Sequence, residues 1–108
     1  EAGRRVVWVN EKGEAGEPFD LVVLSPSGEV ASYIEVKTTA HAAKRTFEVT
    51  RREMEMALQM GSKFTVFRVA LEGGGSQKTV SLTQMEHFSR HLGKSLQLIV
   101  SLGSSPAM

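Results

Sequence analysis

Three short apolar stretches early in the chain alternate with polar segments that contain glycine. Residues 6–9, 19–24 and 30–38 are rich in β-branched and aromatic side chains, and each has the length of a strand. The Ser-Pro-Ser-Gly segment at 25–28 places proline and glycine where a tight turn uses them. We therefore expect three strands, of which the second and third form a hairpin.

The next part of the chain has the pattern of a capped helix followed by another strand. Thr50 and Glu53 have the spacing of a capping box, and the apolar stripe after them ends at Gly61, a typical helix-ending residue. This pattern predicts a helix at about 50–60. Residues 64–71 are mostly apolar and β-branched, and they predict a fourth strand.

The last part of the chain repeats the capping-box spacing. Thr83 and Glu86 predict a second, shorter helix that runs to about residue 92. Residues 96–100 have the composition of a short final strand. The order of these elements predicts an α/β fold with a mixed central sheet flanked by helices.

Composition limits the size and class of the protein. Its 108 residues, 41% hydrophobic and 23% charged, suit one soluble domain, which we place at 1–102 with a flexible tail at 103–108. Thirteen basic and twelve acidic residues give a net charge of +1, so overall charge does not indicate a nucleic-acid partner. The absence of cysteine excludes disulfides and thiolate metal sites, and it favours an intracellular protein.

Charged residues on the two hairpin strands form a candidate site. Side chains alternate along a strand, so Tyr33, Glu35 and Lys37 share one face of the third strand. Asp20 lies in an apolar run of the neighbouring strand, where a carboxylate needs a partner or a cation. Across the hairpin ladder Asp20 can face Glu35, which places two carboxylates and one ammonium group together.

This combination of groups suits metal-assisted hydrolysis of a phosphodiester. Asp20 and Glu35 supply the oxygen ligands that Mg²⁺ or Mn²⁺ prefers, and Lys37 can orient a water or neutralise developing charge. The alternative is a structural ion pair between Lys37 and Glu35, with Asp20 as a turn residue. Spacing alone leaves both interpretations open.

The distribution of charge is more informative than its sum. Six acidic residues and one basic residue lie between Glu11 and Glu35, whereas five basic residues and one acidic residue lie between Lys37 and Arg52. An acidic pocket beside a basic segment is what binding of a phosphate backbone requires. The candidate contacts to nucleic acid are Lys44, Arg45, Arg51 and Arg52.

The same residues resemble a known family. Pro18-Phe19-Asp20 on one strand and Ile34-Glu35-Val36-Lys37 on the next resemble the PD-(D/E)XK nuclease superfamily. Trp8-Val9-Asn10, the segment from Phe47 to Glu53 and the segment from Phe64 to Val69 narrow the resemblance to the NO VEIN C-terminal domain. These pieces, in their order and separation, are similar to the family over about two thirds of the chain.

The resemblance implies a fold and an activity. It implies a restriction-endonuclease-like αβββαβ core whose first helix is lacking or truncated here, within a larger parent protein. It also implies that Asp20 and Glu35 bind Mg²⁺ or Mn²⁺ and that Lys37 is catalytic, in an endonuclease acting on nucleic acid. The location it implies is intracellular, with the nucleus as one candidate.

Resemblance to a nuclease does not establish catalysis, because one fold supports many functions. The alternative is a catalytically inactive nuclease-like module that binds nucleic acid or protein. Glu53 has its own explanation, because the third position of a helix is where a capping-box glutamate belongs.

Overall fold

A computed structural model describes residues 3–13, 16–41, 43–73 and 78–91. Within this part of the chain the protein is an α/β fold with five strands and one α-helix. Two short 3₁₀ turns, Gly61–Lys63 and Phe88–His91, supplement the helix. In chain order the elements are β1 (Arg5–Trp8), β2 (Leu21–Leu24), β3 (Val30–Thr39), α1 (Arg51–Met60), β4 (Phe64–Glu72) and β5 (Thr79–Met85).

The strands form one mixed sheet in the order β1-β2-β3-β4-β5. All neighbouring pairs are antiparallel except β3 and β4, which are parallel. The predicted hairpin is confirmed, with Leu21 opposite Ile34. Its turn contains Gly28 at φ +91°, a backbone conformation that glycine adopts without strain. The Gly28 amide donates to the Ser25 carbonyl at 2.9 Å and closes the turn.

Helix α1 lies in the crossover between the two parallel strands, because parallel neighbours cannot be joined by a tight turn. The predicted capping box is present in full. The Glu53 amide donates to Thr50 Oγ1 at 3.1 Å, and the Thr50 amide donates to Glu53 Oε1 at 2.8 Å. Gly61 ends the helix as predicted, and its amide donates to the Ala57 carbonyl.

The hydrophobic core lies between α1 and one face of the sheet. Ala57 from the helix and Phe64 and Val66 from β4 are almost completely buried, and Phe88 from the last 3₁₀ turn packs against them. The strand register places Tyr33, Glu35 and Lys37 on this same face. Several apolar side chains elsewhere in the sheet remain exposed, including Trp8 at 57%. Within the described residues, the candidate site therefore lies on the face of the sheet that α1 covers.

The helix predicted at 83–92 is wrong. Strand β5 continues to Met85 and pairs antiparallel with β4, with Thr83 opposite Arg68. His87 has φ +51°, which a residue inside a right-handed helix cannot adopt, and a 3₁₀ turn follows at Phe88–His91, the end of the described residues. The alternation of apolar and polar residues over 79–83 is typical of a strand. Hydrogen bonding to β4 therefore outweighs the helix preference that the spacing of Thr83 and Glu86 indicates.

Two other predictions concern the end of the chain. The strand predicted at 96–100 and the flexible tail at 103–108 lie outside the described residues. No helix in the described ranges combines the length and the apolar character needed to cross a bilayer.

Candidate functional site

Asp20 lies just before β2, and both its backbone and its side chain form hydrogen bonds with β3. The backbone amide of Asp20 donates to the Ile34 carbonyl at 2.8 Å, so the ladder continues one residue beyond the strand. Its carboxylate oxygen Oδ2 accepts the Val36 amide at 2.8 Å, and Oδ1 accepts Asn10 Nδ2 at 3.1 Å. These two bonds orient the carboxylate toward β3.

Glu35 and Lys37 extend from the same face of β3, as the alternation predicts. Lys37 Nζ lies 3.3 Å from Glu35 Oε2, and both side chains are largely shielded from solvent. The negative charge of Asp20 also acts on Glu35. The structure therefore brings Asp20, Glu35 and Lys37 into one cluster, as expected from the sequence.

Glu53 is a fourth member of this cluster, and the sequence analysis had explained it only as a helix cap. Its Oε1 accepts Lys37 Nζ at 2.8 Å in addition to the Thr50 amide. Glu53 also shares a hydrogen bond with Glu35. We call Asp20, Glu35, Lys37 and Glu53 the charged cluster.

Three carboxyl groups face one ammonium group in the charged cluster, and the pKa values of two of them, Glu35 and Glu53, are shifted. Burial raises the pKa of Glu35 to about 8, and the hydrogen bond to Glu53 and the charges of Glu53 and Asp20 act in the same direction. Lys37 opposes this change but does not cancel it. The raised pKa favours the protonated form of Glu35 at neutral pH.

The pKa of Glu53 moves in the opposite direction. Burial alone would raise it, but hydrogen bonds from Glu35, Lys37 and the Thr50 amide outweigh burial and lower it. The opposite shifts favour a charged Glu53 that accepts hydrogen bonds and a protonated Glu35 that donates one. Pairs of carboxyl groups with separated pKa values occur frequently at functional sites.

Two of the predicted nucleic-acid contacts lie beside the charged cluster. Arg51 and Arg52 line a cleft of ≈ 410 Å³ between the start of α1 and the loop at 16–18, and Glu53 lines the same cleft. Arg51 forms an exposed ion pair with Glu55 at 3.4 Å. Arg52 donates to the Gly16 carbonyl. The arginines therefore line the cleft while making contacts within the protein.

The other two, Lys44 and Arg45, are exposed in the loop before α1, and Arg68 holds this loop. The Arg68 guanidinium donates to the carbonyls of Lys44 and Thr46 at 3.4 and 3.3 Å, and it lies 5.4 Å from the centre of the Phe47 ring. In the parallel register Arg68 is opposite Lys37. The loop is therefore anchored beside the charged cluster by a residue that the sequence analysis did not select.

A comparison with protein families identifies the chain. The family described as "Protein NO VEIN, C-terminal" matches residues 1–87, a range that contains the whole charged cluster. The chain belongs to the NO VEIN C-terminal family.

Two proteins of Arabidopsis thaliana, Protein NO VEIN-LIKE and Protein NO VEIN, are similar to this NO VEIN C-terminal domain. Each is 36% identical to it over 66 residues, which is 61% of this chain. The aligned part is 10% of the first protein and 2% of the second, as for one domain of a larger protein. No solved structure matches the chain significantly.

The residues of this NO VEIN C-terminal domain fit a divalent metal in part. Within residues 3–13, 16–41, 43–73 and 78–91, no three Asp, Glu or His side chains are grouped as a metal site. Asp20 and Glu35 can supply two oxygen ligands, and a hard cation such as Mg²⁺ commonly completes its coordination with water and phosphate oxygens. Binding would also require Glu35 to release its proton.

Proposed function

We propose that this NO VEIN C-terminal domain is a PD-(D/E)XK-like nuclease that hydrolyses phosphodiester bonds in nucleic acid with Mg²⁺ or Mn²⁺. The excess of carboxyl groups over ammonium groups in the charged cluster is the observation that carries the proposal. An unbalanced, partly buried set of acids is costly without a cation. A proton on Glu35, whose pKa is raised to about 8, would reduce that cost, and so would a bound divalent metal.

Three members of the charged cluster have distinct parts in the proposed reaction. Asp20 and Glu35 would hold the cation, with Asp20 already oriented by Asn10 and Val36. The bound cation would polarise the phosphate and acidify a water. Lys37 Nζ contacts the carboxyl groups of Glu35 and Glu53, so as an ammonium group it would donate to the water and to the phosphate rather than accept a proton.

Substrate binding would depend on the basic residues around the cleft. Lys44, Arg45, Arg51 and Arg52 would contact backbone phosphates, which attract basic side chains without regard to base sequence. Arg51 would exchange its exposed pair with Glu55 for a phosphate at little cost, because exposed ion pairs contribute about 0–1 kcal/mol. Binding should therefore weaken as salt concentration rises.

A nuclease-like module that binds nucleic acid or protein without cleavage is the second candidate. The absence of a three-ligand metal group in the described residues favours it. The contacts of Lys37 with Glu35 and Glu53 also favour this candidate, because the ammonium group already has partners. In this case the charged cluster would be a structural feature that links β3 to α1.

Metal titration separates the two candidates. Mg²⁺ and Mn²⁺ are titrated by calorimetry into the wild type, Asp20→Asn and Glu35→Gln, with Glu55→Gln as an exposed control that lies outside the cluster. The nuclease proposal requires binding to the wild type and the control and loss of binding in the two cluster variants. It also requires cleavage of single- or double-stranded DNA or RNA that a chelator stops. Salt-sensitive binding of nucleic acid without metal binding would support the second candidate.

The proposal includes an intracellular location, with the nucleus as a candidate. The lack of cysteine suits a reducing compartment, where disulfides do not contribute to stability. Imaging of the parent protein with a fluorescent tag tests this part independently of activity.

A further inference from the structure

We propose that Glu53 is a positioning residue that ties the Lys37 ammonium group to the N-terminus of α1 and keeps it in place when Glu35 turns to a cation. This inference rests on the proposed function, because it concerns the lysine of the proposed nuclease site. It goes beyond that function by giving the helix a role in the reaction.

The geometry shows that Glu53 holds Lys37 more closely than Glu35 does. Lys37 Nζ is 2.8 Å from Glu53 Oε1 and 3.3 Å from Glu35 Oε2. Charge-assisted hydrogen bonds are short, so the contact with Glu53 is the stronger of the two.

Glu53 itself is fixed from two sides. Its Oε1 accepts the Thr50 amide at 2.8 Å, and its own amide donates to Thr50 Oγ1 at 3.1 Å. Its position in the first turn of α1 adds the favourable field of the helix dipole for a negative charge. The residue is only 7% exposed, so few alternative side-chain positions are open to it.

A helix cap alone does not require this arrangement. Glutamine can take the same position in a capping box, so the cap does not need a negative charge. A buried, charged glutamate in contact with a lysine from a different element has a second purpose. If Glu35 turned to a cation, the contact of Lys37 with Glu35 at 3.3 Å would be given up, and the contact with Glu53 would then hold the long flexible lysine side chain in the site.

Two variants separate positioning from capping. Glu53→Gln keeps an oxygen acceptor for the Thr50 amide but removes the charge that holds Lys37. Thr50→Ala removes the hydroxyl that caps the Glu53 amide but keeps the Glu53 carboxylate. If Glu53 served only as a cap, Thr50→Ala would change the Lys37 ammonium signal and kcat more than Glu53→Gln does. If Glu53 positions Lys37, Glu53→Gln causes the larger change in both.

The first measurement needs neither metal nor nucleic acid. The ammonium protons of Lys37 are observed by ¹H–¹⁵N NMR, with Lys37→Arg used to assign the signal. We expect a slowly exchanging signal in the wild type and in Thr50→Ala, and its loss through fast exchange in Glu53→Gln. An unchanged signal in Glu53→Gln would overturn the proposal.

The second measurement is cleavage under saturating metal. Loss of an outer partner of a metal site commonly costs about 10–100-fold in activity or affinity, and we expect a decrease of this size in kcat for Glu53→Gln. KM for nucleic acid should change little, because the basic residues of the cleft are intact. Equal kcat values for Glu53→Gln and wild type would also overturn the proposal. If the wild type does not cleave, the proposed function fails, and the NMR measurement alone decides whether Glu53 positions Lys37.

Discussion

Replacing Glu35 with glutamine should change how the stability of the protein depends on pH. The pKa of Glu35 is raised from 4.5 to about 8, so between these values the folded protein binds one proton more than the unfolded chain does. Stability is therefore lost as pH rises through this interval. Glutamine resembles the neutral acid and does not titrate, so Glu35→Gln should lack this loss.

The size of the effect follows from the same values. A pKa that moves from 4.5 to about 8 corresponds to at most about 5 kcal/mol of unfolding free energy, at about 1.4 kcal/mol per pH unit. Solvent reaches the edge of the charged cluster and screens its charges, so we expect about 2 kcal/mol. The pKa of Glu53 is lowered from 4.5, and its contribution to stability is therefore lost only at more acidic pH.

The assay is urea unfolding followed by circular dichroism, at several values from about pH 5 to about pH 8, with a chelator present. All other titratable groups are the same in wild type and Glu35→Gln, so the difference between their stability curves isolates Glu35. Glu55→Gln, an exposed change on α1, is the matched control. Parallel curves for wild type and Glu35→Gln would show that Glu35 is already ionised and would refute the reasoning.

Three further predictions concern the fold around the site. Phe64→Ala removes a fully buried side chain and should cost about 3–5 kcal/mol in denaturant unfolding, whereas Leu58→Ala, at a position 65% exposed, should cost far less. Gly28→Ala should cost about 1–2 kcal/mol in the same assay through its φ of +91° alone, since no atom lies within 4 Å of the added carbon; an unchanged midpoint would contradict this. Arg68→Ala frees the carbonyls of the loop before α1, and limited trypsin digestion should then cut at Lys44 sooner than in wild type; equal digestion rates would show that the loop is held by other contacts.

Features set by local sequence could be predicted well. The hairpin follows from turn residues between two apolar runs, and the start of α1 follows from the spacing of Thr50 and Glu53. The grouping of Asp20 with Glu35 also follows, because a hairpin places neighbouring strands side by side and alternation selects the face. In each case the decisive residues are close in the chain or on adjacent strands.

Features that depend on distant pairing could not be predicted in this way. Thr83 and Glu86 satisfy a helix signal, yet the segment becomes a strand because β4 offers it a partner. The contact between Glu53 and Lys37 requires the parallel crossover to bring α1 over β3, which no local spacing reveals. An arginine within the apolar run of β4 was the available signal for Arg68, but its target carbonyls belong to a loop more than 20 positions away.

The parallel pairing of β3 with β4 sets the smallest piece of this fold that could be transferred to another protein. A fragment ending after α1 would contain every residue of the charged cluster, but it would lack Phe64 and Val66, against which the helix packs. It would also leave β3 with an unpaired edge, which favours aggregation. During folding, the hairpin can form early from local contacts, whereas the cluster must wait for the slower crossover. Recombination that preserves this site must therefore carry the chain from β1 through β4 as one unit.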